Sequence, residues 1–251
     1  MAKDKHVQYL TDGPETWNRW RRENRQIRPD LRQADLKGAN LSGFDLGGAN
    51  LRDANLSRAD FTKSYMVRAR LINADLSGAK FVGTNLERAM FEDANLTAAD
   101  FSRANLNHVE MKNANLKGAN LSEADLNNAN LNRSELSGAT LQGARMVEAD
   151  LRVAKVVGSN LKNVNLTRAK LVKAKMARAN LILAKLTEAD LDGADLSRAN
   201  LEGADLIGSS LNNADLRYAN LKYADFTLAK TDGIKLDNAN TEGAKGNLPQ
   251  F

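Results

Sequence analysis

The sequence predicts an all-β solenoid, a chain wound into short stacked coils. Two observations carry that prediction: a five-residue period that never slips, and an apolar pair spaced two residues apart within it. From Leu31 to Leu236, every fifth position gives 42 central residues, of which 41 are apolar and 31 are Leu, with Thr231 the exception. Two residues before the centre, Ala stands in 32 of the 42 repeats, and Asp or Asn fills the slot between in 27. The unit is A-(D/N)-L-x-x.

Ala and Leu favour helices, so a helix is the first alternative. A five-residue step turns an α-helix by about 140° net, so the leucines would spiral around every side and form no apolar stripe. Glycines in the last slot, among them Gly38, Gly78, Gly118 and Gly193, would weaken a helix further. In an extended chain, residues two apart share a side, so Ala and Leu point inward together. The residues that follow must turn a corner, and Asn, Asp, Gly and Ser suit turns. Each pentapeptide is then one short edge plus one corner.

These repeats resemble the pentapeptide-repeat family, over about residues 29–245. The resemblance implies a right-handed quadrilateral β-helix in which four pentapeptides make one coil and residues twenty apart stack. Phe61, Phe81 and Phe101 would then form one column. The 42 repeats give about ten and a half coils, a rod of roughly 50 Å at strand spacing. The opening "TWNRWRREN" resembles the leader of many bacterial, often cyanobacterial, members, most without an assigned activity.

Such a core of Leu and Ala is filled at native density and leaves no room for a substrate or cofactor. Phe44, Val109, Val164 and Ile234 in the Ala slot need local adjustment. The open end of a solenoid needs a cover. Residues 1–28 are expected to supply it, with a helix over about 14–25 that starts at Pro14 and lays Trp17 and Trp20 on the first coil. Val7, Tyr9, Leu10 and Ile27 extend this cap. The competing reading is a basic helix carrying Arg19, Arg21, Arg22 and Arg25 to an anionic partner. At the other end, in the tail 246–251, either Leu248 and Phe251 fold over the last coil or a second chain covers it. Family members that act on topoisomerases dimerise through their C-terminal ends, so the resemblance leaves monomer and C-terminal-end homodimer both open.

Composition excludes several chemistries. There is no cysteine, hence no disulfide framework or thiolate metal site. His108 stands in an outward slot with no second histidine near it in sequence. No nucleophile, base and orienter converge, and no metal or cofactor is expected. Nothing approaches a transmembrane run, and "MAKDKHVQYL" lacks the apolar core of a signal peptide, so a cytoplasmic protein is expected.

The net charge is +5. Twenty-residue stacking puts Lys170 between Asp150 and Asp190, Lys80 between Asp60 and Asp100, and Arg168 between Glu148 and Glu188. It also puts Arg145 above Asp125 and Lys245 above Asp225, while another column runs Glu135, Lys155, Lys175, Asp195, Asp215, Lys235. Opposite charges on neighbouring strands stabilise and like charges repel, so most corner lysines are charge compensation. Residues 151–187 nevertheless carry nine basic side chains and no acidic one, and 188–215 carry seven acidic and one basic. Lys162, Lys173, Arg178 and Arg198 lack a facing acid. Val153, Val157, Val172, Ile182 and Leu183 fall in outward slots nearby. Apolar groups rimmed by charge mark docking surfaces, so Lys162, Lys173, Arg178, Ile182, Leu183 and Arg198 form the candidate partner surface.

The functional expectation is a non-catalytic scaffold or regulator that binds a protein partner through the outside of the rod. One alternative is a DNA mimic that protects a type II topoisomerase, as some family members do; the net positive charge opposes it, although the 188–215 band supplies local acid. Another is weak binding of nucleic acid or another anionic surface, which the modest charge and scarce aromatic platforms disfavour.

Overall fold

The computed structural model describes residues 4–248. They form a right-handed four-sided β-helix capped at its N-terminal end by two helices. Parallel bridges link residues twenty apart from Asp30↔Asn50 through Asn220↔Asn240. The ladder closes with β1 (Asp225–Phe226) against β2 (Lys245–Gly246). The faces are numbered here by their first bridging residue: face 1 from Asp30, face 2 from Asp35, face 3 from Asn40 and face 4 from Asp45.

The backbone explains the repeat slot by slot. The central residue donates to the next coil (Leu31 N to Asn50 O, 2.8 Å), and the bridging residue donates to the coil before (Asn50 N to Pro29 O, 2.8 Å). The last corner residue also donates onward (Gln33 N to Arg52 O, 2.9 Å), and the Ala N–H closes the corner on the central carbonyl (Ala39 N to Leu36 O, 3.0 Å). One N–H per repeat remains, and the Asp or Asn side chain accepts it across the corner, as Asn40 Oδ1 does from Ser42 N at 3.1 Å. Asn adds a second bond with its amide, donating to the preceding coil, as Asn120 does to Asp100 at 3.0 Å. Every fifth residue from Gln33 to Gly243 has a positive φ, as the third position of a type II turn requires. That requirement explains the glycines, which adopt it without strain.

Every central side chain from Leu41 to Phe226 is at most 1% exposed. Burying each Leu contributes about 1.5–3 kcal/mol. Phe61, Phe81 and Phe101 do stack, with centroids 4.9 and 4.6 Å apart and planes within 3°, and Phe91 meets Phe81 and Phe101 edge-on. Where Thr84, Ser134, Ser159 and Ser209 replace Ala, the hydroxyl finds a carbonyl, as Thr84 does on Phe61 at 2.6 Å.

The cap differs from the sequence expectation. It is two helices, α1 (Asp4–Thr11) and α2 (Pro14–Glu23). Leu10 is buried, Val7 and Tyr9 are partly buried, and Trp17 is fully enclosed. Trp20 packs against His6, Tyr9 and Trp17. Ile27 is not part of the cap; it is exposed in the segment after α2, whose carbonyl Arg21 holds at 2.7 Å. Arg21, one of the cations of the alternative basic helix, is itself buried. Polar side chains replace the missing coil below the first one. His6 Nδ1 accepts from Asp30 N, Asn18 bonds Asp45 N and Gly43 O, Trp17 donates to Asp45 O, and Arg21 donates to Gly47 O.

At the other end Leu248 packs against the core, and Asn247 bonds Phe226 O and Ala229 O. Phe251, the other residue expected over this coil, lies outside the described residues.

Candidate interaction surface

The register assigns each candidate residue to a corner. Arg178, Arg198 and Tyr218 stack along the corner between faces 2 and 3, since Asn180, Asn200 and Asn220 bridge one another. Lys162, Ile182 and Leu183 lie on the corner between faces 3 and 4, followed by Lys222 and Tyr223. These five candidates therefore border one face. Lys173 does not; it lies between faces 1 and 2 with Val153 and Val172, diagonally across the rod from Leu183. Val153 holds a φ of 61° there, a conformation that a β-branched residue rarely adopts.

Face 3 between these edges is uncharged over its outer half. Its bridging residues run Asn120, Thr140, Asn160, Asn180, Asn200, Asn220, Asn240. Amide bonds tie the column, from Asn180 to Asn160 at 3.4 Å and from Asn220 to Asn200 at 3.0 Å. Along the edges, Leu183, Tyr218 and Tyr223 are 55, 56 and 57% exposed. The Arg198 guanidinium lies over the Tyr218 ring at 5.4 Å, and the Lys222 ammonium over Tyr223 at 5.0 Å. Gly203 lets Leu183 lie along the next coil, because a Cβ there would meet Leu183 Cδ2 at 2.8 Å. Sequence reasoning singled out Arg178 and Arg198 as unmatched but did not see that a neutral asparagine ladder joins the two edges; the identical spacing of these asparagines is the signal for it.

The expected charge compensation is real in part. Lys155 pairs with Glu135 (3.3 Å), Arg145 with Asp125 (3.7 Å), Lys245 with Asp225 (3.0 Å), and Arg168 with Glu188 (2.7 Å) and Glu148 (3.9 Å). Lys170 and Lys80 sit at the expected register, but neither makes an ion pair among the described residues. Instead Arg152, two residues along the chain, holds Asp150 with a two-pronged contact, and Arg32 and Arg217 hold Asp30 and Asp215 the same way. Burial raises the Asp150 carboxyl, but the Arg152 hydrogen bonds and the Arg152 and Lys170 charges bring it below its ordinary value. Among the described residues no cluster of His, Asp or Glu could hold a metal, and no helix is long and apolar enough to cross a membrane.

Four-sided coils of twenty residues, with aliphatic interiors and all variety on the outside, define a β-helical repeat solenoid. The chain belongs to the pentapeptide repeat family. A family model of the pentapeptide repeat region matches residues 64–141, and one of pentapeptide repeats (eight copies) matches 30–68, 159–198 and 194–230. Among solved structures the chain is similar to HetL, a pentapeptide repeat protein involved in heterocyst differentiation regulation from the cyanobacterium Nostoc sp. strain PCC 7120. The two are 30% identical, with 97% of this chain and 96% of that one covered, at a TM-score of 0.53. It is also similar to Rfr23, a pentapeptide repeat protein from the cyanobacterium Cyanothece 51142 (26% identity, 56% and 90% covered, TM-score 0.24). A third similarity is to QnrB1, a plasmid-mediated fluoroquinolone resistance protein (24%, 81% and 90%, 0.46). No curated protein sequence matches.

Proposed function

We propose that the protein is a non-catalytic scaffold or regulator that docks a protein partner on the outer half of face 3. The observation that carries this reading is the neutral Asn160–Asn240 ladder flanked by Arg198, Tyr218, Leu183 and Tyr223. Interface centres are depleted in charge and enriched in Tyr and Arg, and covering this face desolvates no bridging charge. Arg178, Ile182 and Lys162 extend the same surface; Lys173 is not needed for it. The likeness to HetL, which is involved in heterocyst differentiation regulation, supports a regulatory role. A DNA mimic would need a continuous acidic face. The outer half of face 3 is neutral, and face 2 carries both signs, with Lys155 and Lys175 between Glu135 and Asp195.

Affinity capture from the native cell tests the proposal with a Leu183→Ser/Tyr218→Ser double variant. Leu228→Ser is the control, more exposed than either but on the corner between faces 4 and 1. Loss of the captured partner with the double variant and retention with the control is the expected result. Equal recovery from all three proteins would refute it.

A further inference from the structure

Near the capped end, the rod's charges stop compensating one another. The corner column between faces 4 and 1 runs Gly48, Arg68, Arg88, His108, Asn128 before its first acid, Glu148. Arg68 and Arg88 therefore stack as like charges, which destabilises neighbouring strands. Among the described residues Arg88 makes an ion pair only with its chain neighbour Glu87, at 3.8 Å. On face 1, Arg70 lies between Asn50 and Met90, and its Nε is buried with no hydrogen-bond partner among the described residues. An unmade bond of this kind costs free energy, so the fold supplies a reason for none of these three cations.

They face a second set. Arg21, Arg25 and Arg28, from the end of α2 and the segment after it, form the opposite wall of a cleft of about 840 Å³ between cap and rod. Its carboxylates are Asp45 and Glu87, and Asp45 already faces Arg21 at 3.7 Å. Ile27, Tyr65, Val67 and Met90 supply apolar surface between the guanidiniums.

We propose that this cleft binds an acidic peptide segment of a protein partner. Glutamate or aspartate side chains would pair with Arg25, Arg68, Arg70 and Arg88, and an apolar side chain between them would rest on Ile27, Tyr65, Val67 and Met90. The guanidinium fork accepts a carboxylate through two parallel hydrogen bonds. The cations come from two walls and from successive coils, so they are spaced for a chain of carboxylates rather than gathered on one phosphate. The interleaved apolar groups favour a polypeptide over a nucleic-acid backbone. The site is separate from face 3 in both coil and corner, so the two surfaces can fail independently.

Fluorescence anisotropy tests the proposal, using a short labelled peptide of glutamates interrupted by leucines. The expected result is saturable binding, weakened at least about tenfold by Arg68→Gln/Arg88→Gln, since hydrogen bonds to charged groups carry that much. Arg25→Gln/Arg28→Gln on the other wall weakens it as well, whereas Lys112→Gln/Lys173→Gln, the same loss of charge on the corner between faces 1 and 2, leaves it unchanged. All four arginines are exposed, and unchanged thermal midpoints would show that the variants are folded. Absence of peptide binding, equal weakening by the lysine control, or tighter binding of a single-stranded oligonucleotide of equal charge would each overturn the proposal.

Discussion

The asparagine before each central leucine does two jobs at once: it accepts the one corner N–H left over by the backbone, and it donates to the coil below. Asn120 shows both, with Ser122 N at 3.1 Å and Asp100 Oδ1 at 3.0 Å. Aspartate can do only the first, and lysine cannot do the first, although its ammonium can reach an acid one coil below, as Lys245 does Asp225. The run Lys170, Lys175, Lys185 therefore gives up a corner bond at each site, leaving the lysines to shape the surface charge. Asn120→Ala is expected to lower stability by about 1–2 kcal/mol in urea unfolding. Asn120→Asp keeps the corner bond but sets a carboxylate against Asp100, so its deficit should shrink as salt is added. Acid acts at the same slot. Asp225 is held down to about 2, first by the Thr227 hydrogen bonds and then by Lys245. A carboxyl depressed in the folded state contributes stability above its unfolded value, about 4, and that contribution is lost as pH falls through its folded value. Asp30, Asp60, Asp150, Asp215 and Glu135 are depressed too. The coil around Asp225 should loosen between about pH 4 and pH 2, and Asp225→Asn should flatten that dependence in amide exchange measured across the range.

At the scale of elements, the rod was legible because its rule is local. Ala and Leu two apart set the inside, and an unbroken period of five fixed the register that put Phe61, Phe81 and Phe101 in one stack. The cap was less legible, because its work is done at long range. Trp17 and Trp20 announced an apolar face, but nothing local marks Asn18, Arg21 or His6 as partners for backbone groups at Asp45, Gly47 and Asp30. The cleft was invisible for the same reason: columns derived from the repeat place Arg68 and Arg88, not the cap wall facing them. Trp17→Ala removes a fully enclosed side chain and should cost about 3–5 kcal/mol. In a solenoid each coil contacts only its neighbours, so amide exchange should rise in the first coils and stay unchanged beyond Asn120. A uniform rise along the rod would refute that locality.

For the whole molecule, an interior of leucine, alanine and phenylalanine leaves the chemistry on the outside. The rod offers long straight columns, and the sequence varies them one residue at a time. The candidate surface was half legible: Arg178, Arg198, Ile182 and Leu183 came from unmatched charge and outward apolar slots, whereas the exclusion of Lys173 needed the four-sided geometry. The neutral ladder of face 3 emerges only when residues twenty apart are seen together. Amide hydrogen exchange of the protein alone and with its captured partner tests this account most directly. The account predicts protection concentrated at the two edges of face 3, around Arg178–Leu183 and Tyr218–Tyr223. Protection confined to other faces, with these two segments unchanged, would contradict it.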